Sequence, residues 1–196
     1  MGIRQSFVRI TAEELTELEQ LEGNGAPSPE MLANEPADED LYHAYWLKVD
    51  PLYRVRFQHD RWPSDDQDQQ ELYAFTLEKG YWELLGRLMK QLVREQVINQ
   101  WPFTEDYPVH IGDLWPGYSH VYLIFHHELA PLLDMLQQFP YAQLKQRFDN
   151  EFVEYITMTD QEKLNVYEAI RDDLDSIRIM AQQAHAANES IIWYIS

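Results

Sequence analysis

Asn188-Glu189-Ser190-Ile191-Ile192-Trp193-Tyr194-Ile195 is the stretch that decides the fold. From Ile191 to Ile195 both alternating faces are apolar, so the segment reads as a strand inside a sheet, with helices nearby. Upstream, Leu164, Tyr167, Ile170, Leu174, Ile177, Ala181 and Ala184 step by three or four residues. That spacing predicts one amphipathic helix of about seven turns. Thr159-Asp160-Gln161-Glu162 supplies its capping box, in which each end side chain accepts from the other residue's backbone amide. Asn188 suits the left-handed residue that ends such a helix.

Similar signals recur far upstream. Ser6-Phe7-Val8-Arg9-Ile10 is rich in strand formers, Thr11-Ala12-Glu13-Glu14 forms another capping box, and Leu15, Leu18 and Leu21 line one side of a short helix. A second helix carries Leu41, Tyr42, Tyr45 and Trp46 and stops at Asp50-Pro51. Ser64-Asp65-Asp66-Gln67 offers another helix start within a polar, acidic break. The stretch from Leu72 to Val97 reads as mostly helical, with Tyr81, Leu84, Leu85, Leu88, Leu92 and Val93 toward the core. Gly80 and Gly86 interrupt it, each at a cost of about 1 kcal/mol relative to Ala, and mark a helix junction or a close backbone approach.

His120 to Phe125 reads as a buried strand. The next helix bears Leu129, Leu132, Leu133 and Leu136, and begins near His127 because Pro131 is tolerated only in a first turn. Phe139-Pro140 opens a short helix through Phe148. The expectation is a single α+β domain spanning residues 1–196, with helices packed on a mixed β-sheet that includes the N- and C-terminal strands. An irregular acidic insertion near 23–40 and an aromatic-rich loop near 99–118 elaborate it.

The chain has 196 residues, 45% apolar, enough for a sizeable core. Fifteen Lys and Arg face 34 Asp and Glu, for a net charge of −19. This balance argues against nucleic acid and against anionic membrane surfaces, since both need clustered cations. The absence of cysteine excludes disulfides and thiolate chemistry. No signal-peptide pattern or membrane-length apolar run occurs, and Met1-Gly2-Ile3-Arg4-Gln5-Ser6 matches the myristoylation pattern only loosely. The chain reads as a cytoplasmic protein.

Several of these segments resemble the YfbM-like family, a bacterial domain family of unknown function. The resemblance rests on Met1-Gly2-Ile3 running into Val8-Arg9-Ile10-Thr11-Ala12-Glu13-Glu14-Leu15, and on Leu77-Glu78-Lys79-Gly80-Tyr81-Trp82. It is strongest over Leu144-Lys145-Gln146-Arg147-Phe148-Asp149, the long helix and Ala187-Asn188-Glu189-Ser190-Ile191-Ile192-Trp193. Half of the chain is covered. The resemblance implies an α+β fold with helices on a sheet, and brings no functional residues with it. Where the family helix often carries histidines, this chain has Trp82 and Leu85, which puts any imidazole role there in doubt.

Two constellations could carry chemistry. His126-His127-Glu128 offers zinc-type donors, yet adjacent helical residues diverge by about 100° and the His-Glu-x-x-His spacing is absent. A site would need His126 together with distant partners such as His110, Asp113 or His120. The favoured reading is that the histidines cap the helix and Glu128 complements its dipole, with no metal and no cofactor. The aromatic loop, with Trp101, Trp115, His110 and Asp113, could wall a ligand pocket completed by His127 and Glu128. The favoured alternative is a packed covering. No phosphate loop, nucleophile elbow or dinucleotide fingerprint occurs, and Asp65, Asp66 and Asp68 lack the EF-hand pattern.

The leading expectation is an interaction or regulatory module that binds a basic protein partner. A small-ligand binder or enzyme using the aromatic loop is the alternative. The last helix could self-pair, but its own sheet buries the stripe more simply, so the chain reads as a monomer or weak homodimer.

Overall fold

The computed structural model describes residues 5–21, 54–55, 74–77, 81–103, 122–151 and 158–195. Four strands, β1 (Gln5–Ile10), β2 (Ala74–Leu77), β3 (Tyr122–Ile124) and β4 (Ser190–Ile195), form one sheet in the order β2-β1-β4-β3. Every described pairing is antiparallel, where a mixed sheet was expected. β1 and β4 pair along their full length, from Gln5 opposite Ile195 to Ile10 opposite Ser190. Among the described residues five helices with assigned bounds accompany the sheet: α1 (Ala12–Leu21), α2 (Tyr81–Arg94), α3 (Leu129–Gln137), α4 (Tyr141–Glu151) and α5 (Asp160–Ala187).

Alternation along the strands separates two cores. Phe7, Leu77, Tyr122, Ile124, Ile191 and Trp193 share the face covered by residues of α2, α3, α4 and α5. Val8, Ile10, Leu123 and Ile192 share the other face with Leu18 of α1 and Val55. Burial on both faces explains why β4 reads as an uninterrupted apolar run although its neighbours are antiparallel.

The register lines up Phe75, Phe7, Trp193 and Tyr122 in one row across all four strands. Phe7 stacks on Phe75 with ring centroids 4.7 Å apart, and Tyr122 stacks on Trp193 at 4.1 Å. Phe103 stands edge-on over the middle of this row, 5.0 Å from Phe7 and 6.3 Å from Trp193. Each such pair contributes about 0.5–1.5 kcal/mol beyond area burial.

Both capping boxes form. The Thr11 amide donates to Glu14 Oε2 at 2.8 Å, while the Glu14 amide donates to Thr11 Oγ1 at 3.1 Å. At α5 the Thr159 amide donates to Glu162 Oε2 at 2.7 Å, and the Glu162 amide returns to Thr159 Oγ1 at 3.3 Å. Along α5 every residue of the expected stripe is buried except Leu164, which faces solvent, and Val166 and Met180 join the core.

The stretch from 72 to 97 departs most from expectation. Ala74–Leu77 is a strand and the helix spans only Tyr81–Arg94. Pairing with β1 overrides the helical leaning of the flanking residues. A Cβ at Gly86 would meet nothing within 4 Å, so no close backbone approach explains that glycine. Pro131 is the third residue of α3, where its missing amide removes no helical bond, and a 3-10 turn at His126–Glu128 precedes it. Helix α4 extends three residues beyond Phe148, to Glu151. The helix expected around Leu41 to Trp46, the start at Ser64 and the whole acidic insertion near 23–40 lie outside the described residues.

Candidate functional site

The residues that could do chemistry gather at the end of the sheet where β1 and β3 finish and β4 begins. Helix α5 ends in a Schellman turn: Asn188 takes φ 56°, its amide donates to the His185 carbonyl, and the Glu189 amide reaches the Ala184 carbonyl at 2.8 Å. This turn swings the Glu189 side chain toward β1. There Arg9 Nε donates to Glu189 Oε2 at 2.6 Å, and Arg9 Nη1 donates to Gln183 Oε1 at 3.1 Å. The Arg9 and Glu189 side chains are only 4% and 9% exposed, so both charges are removed from water together. Beside them, Ser190 Oγ accepts the His126 amide at 3.2 Å.

The expected site residues take separate positions. His127 is exposed and stacks on Phe125 at 5.5 Å, with the His126 ring edge-on to it. Glu128 turns its Oε2 back onto the Phe125 amide at 2.9 Å, so it caps its own turn. Among the described residues no three His, Asp or Glu side chains converge as metal ligands. Trp101 is buried against Phe103, 5.0 Å away edge to face, and belongs to the large core. His110, Asp113 and Trp115, and with them most of the aromatic loop, lie outside the described residues.

Arg9 and Glu189 did not stand out in the sequence. The signal available was a lone arginine inside an apolar strand, and a lone glutamate between a helix end and another.

Two tyrosines meet where α4 packs on α5. Burial raises the Tyr167 phenol above its ordinary range, and its hydroxyl donates to the Tyr141 carbonyl at 3.3 Å. Tyr141 is likewise raised, by burial first and then by the nearby Asp175 carboxylate. Both phenols therefore stay protonated near neutrality and act as packing surfaces rather than bases. Arg171 lies over the Tyr141 ring and Lys145 over the Tyr167 ring, at 5.6 and 5.2 Å.

Among the described residues five cations pair with carboxylates. Arg87 pairs with Glu151, Arg147 with Glu95, Lys145 with Asp149 and Arg178 with Asp175, in addition to the buried Arg9–Glu189 pair. Helix α1, by contrast, has four glutamates in its sequence and no lysine or arginine. No described helix is long and apolar enough to cross a membrane. Compared with protein-family models, curated proteins and solved structures, the chain matches none of them.

Proposed function

We propose that this chain is an acidic interaction or regulatory module that binds a basic protein partner, and that it is a YfbM-like domain. The observation that carries the functional reading is the charge arrangement. The net charge is −19, and the ion pairs above consume positive charge locally, so the field at a distance is set by the excess carboxylates. Such a field accelerates encounter with a basic surface and repels anionic ones. What supports the kinship is the order of the quoted motifs, together with an α+β fold of the kind the resemblance implies.

The reading is tested by capture of partners on the immobilised protein at low salt, with elution along a salt gradient and repetition with each purified partner. A basic protein that binds directly, and whose affinity falls steadily as salt rises, is the expected result. Binding only to acidic or neutral proteins, with no dependence on salt, overturns it.

A further inference from the structure

The three large apolar side chains exposed among the described residues are Met158, Leu164 and Ile179, at 37%, 43% and 40%, and all lie on α5 or just before its cap. Leu164, Glu168, Asp172, Asp175 and Ile179 follow one another at intervals of four, four, three and four. This is the spacing of a stripe on which another helix packs. The two apolar ends stand about 22 Å apart along the axis. Between them Glu168 and Asp172 are exposed, and among the described residues neither has a hydrogen-bond or ion-pair partner. The cations beside the stripe are engaged: Arg178 holds Asp175 and Arg171 lies over Tyr141.

We infer that this outer stripe of α5 is a docking face for a basic amphipathic helix of a partner protein. The inference rests on the proposed function and assigns it a place. The partner sets an apolar residue on Leu164, another on Ile179, and Lys or Arg against Glu168 and Asp172. A second copy of this chain is a poorer occupant. In an antiparallel pair, Asp172 would face Asp172 and Glu168 would face Asp175, and a parallel pair would also set like charges together. An anionic lipid surface meets the same repulsion.

The test uses the full chain and a synthetic helical probe of about 20 residues, with leucines spaced to meet Leu164 and Ile179 and lysines between them. Binding is followed by fluorescence anisotropy of the labelled probe, and circular dichroism verifies that each variant keeps its helices. The expected result is saturable binding, weakened about tenfold in the Leu164→Gln/Ile179→Gln variant and more strongly in Glu168→Lys/Asp172→Lys. A control probe with glutamates in place of the lysines does not bind. Binding that survives both α5 variants but weakens in Glu13→Gln/Glu17→Gln overturns the docking face while leaving an acidic module that binds elsewhere. Absence of binding by this probe, where a basic protein partner does bind, also overturns the face alone. Absence of both overturns the proposed function with it. A stable dimer in sedimentation, broken by Leu164→Gln/Ile179→Gln, overturns the choice of occupant.

Discussion

Among the described residues, those of four helices close over Phe7, Leu77, Tyr122 and Trp193 on one face of the sheet, whereas on the other Leu18 of α1 and Val55 pack with Val8, Ile10, Leu123 and Ile192. The two faces use the same strands and the same alternation, so their difference lies in what reaches them. The large face receives α5, 28 residues long, and the aromatic row with Phe103 above it. Among the described residues the other receives a ten-residue helix, marginal alone, that is held by the burial of Leu18 and by its own cap. Substitutions in the large core should therefore lower global stability, and the short helix α1 should open locally more readily than α5.

Trp193 offers the strongest way to break this comparison. Trp193→Ala removes the centre of the aromatic row and should cost about 3–5 kcal/mol in denaturant unfolding. Among the described residues its indole Nε1 is buried without a hydrogen-bond partner. Trp193→Phe keeps a ring in the row and deletes that donor, so its cost should be well under half as large. Equal losses for the two substitutions would show that the row contributes little as a stack.

Next comes the buried pair, which points into the large face from the end of β1. Arg9→Ala removes a buried cationic partner of Glu189 and should destabilise by about 3–5 kcal/mol. Replacing both partners, as Arg9→Met/Glu189→Leu, should recover most of that loss, because neither charge then remains to be desolvated. If the double variant is as unstable as the single one, the pair fixes geometry that apolar packing cannot replace. A smaller effect of opposite sign is expected at Gly86 in α2, where Ala meets no neighbour and removes backbone entropy from the unfolded chain. Gly86→Ala should stabilise by about 1 kcal/mol, read as a higher midpoint at unchanged slope.

The two faces were also unequally legible in the sequence. Helix α5 and β4 could be read because a long period, a capping box and a left-handed asparagine agree about one element. Strand β2 could not. It has four residues among helix formers, and its identity comes from the register with Gln5 to Val8, which no local pattern encodes. The Arg9–Glu189 contact spans 180 residues and is aimed by a turn at Asn188, so its partners were visible only as two isolated charges. Leu164 shows the complementary error: its step of three to Tyr167 suggests the buried stripe, but it lies on the outward side of the helix with Glu168 and Asp172. Of the aromatic loop, Trp101 and Phe103 pack on the large core, and residues 104–118 lie outside the described residues.

The capping boxes give the finest probe, because one motif serves both faces. Thr11→Ala and Thr159→Ala should each cost about 1 kcal/mol, but the loss should be distributed differently. At α5 eight buried residues hold the helix, so only the first turn should exchange its amides faster. At α1 the whole short helix should exchange faster. The charge state of the α5 box adds a pH signature. The Thr159 amide and then its hydroxyl hold the Glu162 carboxyl below its ordinary value, so the folded state favours the ionised form. That preference is fully present above the unfolded value and is lost as pH falls through the folded one. The effect is small, because Glu162 is open to solvent and salt screens it. Glu162→Gln retains an acceptor for the Thr159 amide but does not titrate, so the difference in stability between the two proteins should shrink on acidification below the ordinary carboxylate range. A difference that stays constant across that range would mean the carboxylate charge contributes nothing to the cap, leaving geometry alone to set the start of α5.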